Sequence, residues 1–261
     1  MTPAGLAPGD PTSPTDPRAQ AVPVDPKDSD EALVGHPDPG PLLAAGTFAD
    51  VFAVDEARVL RRYRDDVDAT READLVRHVV SHGFPAPAVL AAAASDIVME
   101  RLHGPTLLQS LAADETSIHD AAELLADLHV RLHAVPAPAG SDAGDAVLHL
   151  ELHPGNIILT EQRGPVLAGW SSALVGPAAL DVATTALMIA EVAVDAGGVY
   201  SQAARALLAA FLGGTDVDPL PALDDAAERR AQDPALVAGE RALVPSAAEL
   251  VRELRQIARP H

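Results

Sequence analysis

The densest run of chemistry-bearing side chains is His149-Leu150-Glu151-Leu152-His153-Pro154-Gly155-Asn156. It gathers two imidazoles, a carboxylate and an amide into one short segment. In an extended chain His149, Glu151 and His153 fall on one face, which is a His-Glu-His metal donor set. His129 and His133 are four apart on a predicted helix. That spacing suits a shared metal or two ordinary helix residues near an interface between lobes. Composition removes other chemistries. There is no cysteine, so disulfides, thiolate zinc sites, iron–sulfur clusters and thiol nucleophiles are excluded. The only lysine is Lys27, and every other basic residue that carries a fixed charge is arginine. The formal net charge of −20 argues against nucleic acid or an anionic membrane as partner. It suits a cationic partner, or simply a solvated acidic surface. No G-x-x-x-x-G-K-[ST], G-x-G-x-x-G or G-x-S-x-G run occurs, so P-loop, Rossmann and α/β-hydrolase readings lose their usual support.

The elements that must position these residues follow from the patterning. Residues 1–41 are rich in Pro and Asp and poor in large apolar side chains, and they read as a disordered tail that includes Lys27. Residues 1–14 have neither a basic nor an apolar signal region, and no apolar run reaches 18 residues. The chain therefore reads as cytoplasmic. Residues 43–54 predict strand, turn and strand around Gly46-Thr47-Phe48, and 58–63 a third strand. Residues 69–81 predict a helix with Ala73, Val76, Val79 and Val80 inward, stopped by His82-Gly83-Phe84-Pro85. Residues 88–92 and 96–102 predict buried strands. A helix through Leu124, Leu128 and Leu132, capped by Ser117 or Asp120, ends before Pro136. Residues 156–160 and 165–169 predict a hairpin around Glu161-Gln162-Arg163-Gly164. With that turn, Thr160 faces Pro165 and Asn156 faces Gly169. Further helices are predicted over 180–194, 200–212, 222–230 and 246–257. The fold class is α+β, with a small antiparallel-sheet N-lobe over 42–102, a larger mainly helical C-lobe over 103–261, and a crevice between them.

The run 149–156 resembles the H-G-D-L-H-P-x-N catalytic loop of the aminoglycoside phosphotransferase family, which is related to choline kinases and has a protein-kinase-like fold. Other segments agree in order and spacing. Gly46-Thr47-Phe48 resembles the nucleotide-covering loop, and Val59-Leu60-Arg61 the strand that ends in a phosphate-contacting lysine. Arg71-Glu72-Ala73 resembles the helix whose glutamate pairs with that lysine, and Phe84-Pro85-Ala86-Pro87 the turn into the next strand. Val98-Met99-Glu100-Arg101-Leu102-His103-Gly104 resembles the hinge that meets adenine. Leu125-Ala126-Asp127-Leu128-His129 resembles the helix before the catalytic loop, and Asp181-Val182-Ala183 a structural aspartate. The resemblance implies ATP-dependent phosphorylation of a small-molecule hydroxyl. It implies nucleotide contacts from Gly46, Thr47, Arg61, Glu72, Glu100 and Leu102, a base at position 151, and a magnesium ion held by Asn156 and by the residue at 169.

Three positions depart from that pattern. Gly169 stands where the metal-binding aspartate is expected, and no Asp or Glu lies between Glu161 and Asp181. Magnesium prefers hard anionic oxygens, so an asparagine alone is a poor site. Glu151 stands in place of the catalytic aspartate, with the same charge and one more methylene. Arg61, or Arg62 if the register slips, stands in place of the lysine and binds phosphate as a fork. Glu72 with Arg61 reads equally as a surface ion pair or as a retained phosphate clamp. Asp181 reads as a cap of the helix that follows, and Trp170 as core packing. The leading expectation is a pseudokinase or severely impaired kinase that binds a nucleotide and a small, cationic, hydroxylated ligand. Its rivals are a working kinase with Glu151 as base, and a non-catalytic module that binds a protein partner.

Overall fold

The computed structural model describes residues 39–258 except 47, 66, 196–199 and 235. Lys27 and Thr47, and the part of the expected tail over 1–38, lie outside the described residues. The N-terminal part is one antiparallel sheet in the order β1-β2-β3-β5-β4. Its strands are β1 (Leu42–Ala45), β2 (Ala49–Ala53), β3 (Arg58–Tyr63), β4 (Val89–Ala93) and β5 (Asp96–Glu100). The tail reading runs two residues too far, because Gly40 N–H donates to the Ala53 carbonyl and Ala53 N–H to the Pro41 carbonyl. Helix α1 (Thr70–Ser81) packs on one face of the sheet with Glu72, Ala73, Val76 and Val79 buried, at the spacing of a single helical stripe. Tyr63, Ala49 and Ile97 meet Ala69 and Ala73 there. On the other face Leu60, Ala91 and Val98 form a separate small cluster. Along β3 the side chains alternate, so Arg61 shares the face of Tyr63 while Arg62 shares that of Leu60.

The C-terminal part is helical. Helices α2 (Leu107–Ala112), α3 (Ile118–His133), α4 (Ala178–Val194), α5 (Ser201–Gly214), α6 (Leu223–Ala231), α7 (Ala238–Arg241) and α8 (Val244–Ala258) follow in order. Helix α4 is buried nearly all round and packs on α5, α6 and α8. Ser117 caps α3, accepting from Asp120 N–H at 3.1 Å. Helix α2 was not expected from the sequence. It is short and starts at a capping box, where Thr106 and Gln109 exchange hydrogen bonds of 2.8 and 3.0 Å.

Two short ribbons position the site. Strands β6 (Ala146–Leu148) and β9 (Leu174–Gly176) pair antiparallel, which brings the start of the 149–156 run beside the start of α4. Strands β7 (Ile157–Thr160) and β8 (Gly164–Leu167) form the predicted hairpin, but one residue out of the expected register. Thr160 pairs with Gly164, and Ile157 with Leu167. The cause is Gly164 at φ 69°, which closes a three-residue loop instead of a four-residue one. Thr160 Oγ1 braces that loop, accepting from Arg163 N–H and donating to the Gly164 carbonyl.

Candidate functional site

The run 149–156 is not extended. Leu150 has φ 61°, a left-handed conformation that costs a non-glycine residue about 1 kcal/mol or more. The kink is held by Asp181, whose carboxylate accepts from Leu150 N–H at 2.7 Å and from His149 N–H at 3.2 Å. His133 Nε2 lies 3.0 Å from the same carboxylate. These hydrogen bonds hold the fully buried Asp181 carboxyl down at about 2, although burial pushes the other way. The reading of Asp181 as a helix cap is therefore corrected. It lies within the first turn of α4, and its partners are the backbone of the loop before β7 and His133 at the end of α3, 31 residues or more earlier in sequence. No cap bond exists because the helix starts after Pro177.

The kink also separates the three alternating side chains. His149 is buried with its ring edge-on to Trp170, at 4.7 Å between centroids. Its Nδ1 accepts from Glu151 N–H at 3.2 Å, so Nε2 carries the proton and donates to the Ala168 carbonyl at 3.0 Å. Burial pushes this imidazole down to about 4, which keeps it neutral. His153 instead closes a short turn, its Nδ1 accepting from Gly155 N–H. It too is pushed down to about 4, by burial and then by the charge of Arg230. The alternative of a His-Glu-His metal face is thus ruled out. Among the described residues no three His, Asp or Glu side chains converge as a metal set. His129 is buried between Leu125 and Thr185, and His133 serves Asp181.

Glu151 has a largely enclosed carboxyl. Ser172 Oγ donates to its Oε1 at 2.8 Å. Burial raises its proton affinity, and Ser172 and Arg61 draw it back down. Asn156 Nδ2 donates to the Glu151 carbonyl at 2.9 Å, so the hairpin grips this residue from both sides. Sequence reasoning missed Ser172. The signal available was the small polar pair Ser171-Ser172 just after Gly169, in a chain otherwise apolar there.

Gly169 and Asn156 are neighbours, as the hairpin predicted, although the strand partner of Asn156 is Ala168. Gly169 has φ 81°, and a Cβ added to it would come within 2.8 to 2.9 Å of the Asn156 amide group. The amide therefore fills the space in which a side chain at 169 would begin. The resemblance implies magnesium here, and these residues do not fit it. The donor set is one neutral amide oxygen, the amide's Nδ2 donating to the loop, with no carboxylate opposite.

On the sheet side, Arg61 is the residue that meets Glu72. Their Nε–Oε1 distance is 3.4 Å, and the side chains are 13% and 6% exposed. This is no surface ion pair. Tyr63 O–H donates to the other Glu72 oxygen, and the Arg61 guanidinium lies 5.4 Å from the Tyr63 ring centroid. Arg62 faces away and forks onto the buried Asp96 at 2.8 and 2.7 Å. Gly46 forms the tight turn between β1 and β2, its N–H donating to the Ala49 carbonyl, where a Cβ would come within 2.6 Å of that oxygen. The Glu100 carboxylate is taken up within the protein. Arg163 Nη1 donates to both of its oxygens at 2.7 and 2.6 Å, and Ala88 N–H adds a third bond. Arg163 Nη2 also donates to the Ala86 carbonyl. Leu102 follows in the connector between sheet and helices, and Leu159 N–H donates to the Pro105 carbonyl beyond it. At Gly104 a Cβ would come within 2.1 Å of the Leu159 carbonyl oxygen.

The model of the phosphotransferase enzyme family matches residues 41–147, less than half of the chain and ending just before the kinked loop. Among solved structures, the ADP-bound aminoglycoside phosphotransferase APH(2″)-Ib is similar at a TM-score of 0.54 and 14% identity, covering 87% of this chain and 98% of that one. The gentamicin complex of APH(2″)-IIa gives 0.54 and 13%, with 89% and 97% covered. Amicoumacin kinase with AMP-PNP and Ca2+ gives 0.55 and 15%, with 87% and 92% covered. Among curated proteins none matches. The likeness establishes a kinase-like fold, with its antiparallel-sheet lobe and helical lobe. No helix among the described residues is long and apolar enough to cross a membrane.

Proposed function

We propose that this chain is a kinase-fold protein that keeps a nucleotide crevice and has lost, or nearly lost, phosphoryl transfer from ATP to a small hydroxyl compound. The observation that carries this reading is the Gly169–Asn156 pair, where an amide fills the place of the carboxylate that phosphoryl transfer needs. Phosphoryl transfer in this fold is mostly positioning and charge stabilisation, so losing the ligand that orients the metal removes a large part of it. The nucleotide part of the reading rests on the buried Arg61–Glu72 pair beside the connector. It also rests on likeness to structures solved with ADP and with AMP-PNP. A cationic hydroxylated acceptor is supported by the acidic composition. The test is turnover with ATP and a panel of amino sugars. The expected rate is orders of magnitude below the roughly 1 per second of an ordinary kinase. A rate in that ordinary range overturns the reading.

One observation favours a second reading, in which the protein is a working small-molecule kinase. Glu151 is enclosed, has a raised proton affinity and is held by Ser172, as suits a base that takes a proton from a substrate hydroxyl. Glu151→Gln then abolishes turnover. Surviving turnover removes Glu151 from that role.

The geometry also predicts a gain of function. Gly169→Asp alone is expected to destabilise the fold by about 1–2 kcal/mol through its left-handed backbone. Relieving the contact moves the Asn156 amide aside and sets a carboxylate next to its oxygen. Combined with Glu151→Asp, the change should create or raise magnesium-dependent ATP turnover. An assay that shows no gain in the folded double variant indicates that the nucleotide crevice has decayed as well.

A further inference from the structure

We propose that a segment of this chain outside the described residues, Ala32-Leu33-Val34, docks on the face of the N-terminal sheet opposite α1 and covers the apolar row that crosses its strands. The inference is independent of the nucleotide reading.

The pairing register defines the row. Leu42 stands opposite Phe52, Phe52 opposite Leu60, Leu60 opposite Val98, and Val98 opposite Ala91. Residues directly opposite each other share a face, so these side chains form one line from edge to edge of the sheet. An antiparallel sheet with one face in water carries polar side chains on that face. Here it does so only at the borders. Arg62 with Asp96 and Arg64 with Asp50 close one side of the row, and Arg58 opposite Glu100 closes the other. At the centre Leu60 is fully buried and Val98 and Ala91 nearly so, with Phe52 and Val54 half-buried against them. Among the described residues α1 is the only helix that packs on the sheet, and it takes the other face. Neighbours in the plane of a sheet leave the top of such a strip open to water, so its burial calls for a cover from elsewhere.

The place where the chain enters identifies the cover. The described part begins at residue 39, just before edge strand β1, and Leu42 at that end of the row is exposed. Residues 1–38 lead to this point, and the first apolar group upstream of it is Ala32-Leu33-Val34. Val34 is five residues from Pro39, a reach of about 17 Å for an extended chain. The two strand spacings from β1 to β3 amount to about 10 Å. Leu33 and Val34 therefore reach Phe52 and Leu60, and Pro37 and Pro39 favour the extended path this needs. The next apolar group, Ala21-Val22-Pro23-Val24, is cut off by Asp25, Asp28, Asp30 and Glu31, which do not suit an apolar strip bordered by Asp50 and Asp96.

The protein has no cysteine, so one introduced thiol reports on one position. The full chain carrying Leu33→Cys is treated with a thiol reagent in native buffer and in urea. The expected result is a native reaction slower by about tenfold or more. Equal rates overturn the inference. Protection that appears only at high protein concentration assigns the face to a second copy of the chain, and also overturns it. A second variant adds Phe52→Asp, with thermal unfolding as the check on folding, and should return the rate to its value in urea. Protection that persists in the folded double variant places Leu33 elsewhere and overturns the inference. If the double variant does not fold, Leu33→Asp in the otherwise unaltered chain decides. Its melting temperature should fall by about 4 °C or more, and an unchanged melting temperature overturns the inference.

Discussion

Asp181→Ala is expected to destabilise the protein by about 3–5 kcal/mol, the cost of breaking a buried charged network from one side. The carboxylate is fully buried and satisfies two backbone N–H groups and His133. Without it, the N–H groups of His149 and Leu150 are left unpaired in the interior. Leu150 also loses the contact that offsets its left-handed backbone. At about 2–4 °C per kcal/mol for a chain of this size, the melting temperature should fall by roughly 10–15 °C. Asp181→Asn keeps one acceptor oxygen and should cost less. If Asp181→Ala melts within a few degrees of the unaltered protein, the loop does not hang from this carboxylate.

The second large effect is acid sensitivity well above the range of ordinary carboxylates. His149 and His153 are held neutral down to about 4, whereas in the unfolded chain each titrates near 6.5. Between those values the unfolded state binds protons that the folded state refuses, so stability falls as pH falls. The full contribution is present above pH 6.5 and is lost on the way to pH 4. Two such groups give a slope of up to about 2.7 kcal/mol per pH unit, or roughly 4 kcal/mol lost by pH 5. His149 is completely enclosed and carries the more certain share, while His153 reaches solvent in part. His129 is lowered by burial as well and acts in the same direction. Glu151 and Glu191 oppose the trend, because burial raises them and their protonation favours the folded state at low pH. Asp181 adds a further loss below about pH 4, as its carboxyl is driven towards protonation near 2. Urea unfolding at pH 7.5, 6.5, 5.5 and 5.0 measures the slope. A stability flat to within about 1 kcal/mol over that range would falsify the buried-neutral assignment of these imidazoles.

Local chemistry was legible in the sequence where the physics is local. Strand β3 shows its β-branched and aromatic run and was placed to the residue. Helix α3 carries its Ser117 cap and leucine spacing, and α1 its stripe of small apolar residues. Errors arose where a distant contact or one dihedral decides. Gly164 adopts a left-handed conformation, which shortens the loop and shifts the hairpin by one residue, and spacing alone does not reveal that. Asp181 looks like a cap because it stands at a helix start. Its true partners come from the β6–β9 pairing, which no short window contains. The rival of one extended face for His149, Glu151 and His153 is likewise decided by a distant contact, since Asp181 holds the kink at Leu150. Arg61, Glu72, Asn156 and Gly169 stand out through resemblance, and the structure places Arg61 beside Glu72 and Asn156 beside Gly169. Ser172 was missed because a serine carries no signal until its partner is known.

The hairpin that carries Asn156 is fastened to the connector as well as to the helical part. Arg163 clasps Glu100, Leu159 reaches Pro105 across the tightly apposed Gly104, and Leu167 N–H donates to the Pro85 carbonyl. A swing of the sheet relative to the helices must therefore apply torque to β7 and β8. The force arrives at Asn156, and through its amide at the Glu151 carbonyl. Movement of the sheet against the helices and distortion of the kinked loop become a single mechanical coordinate, with the guanidinium of Arg163 as its handle.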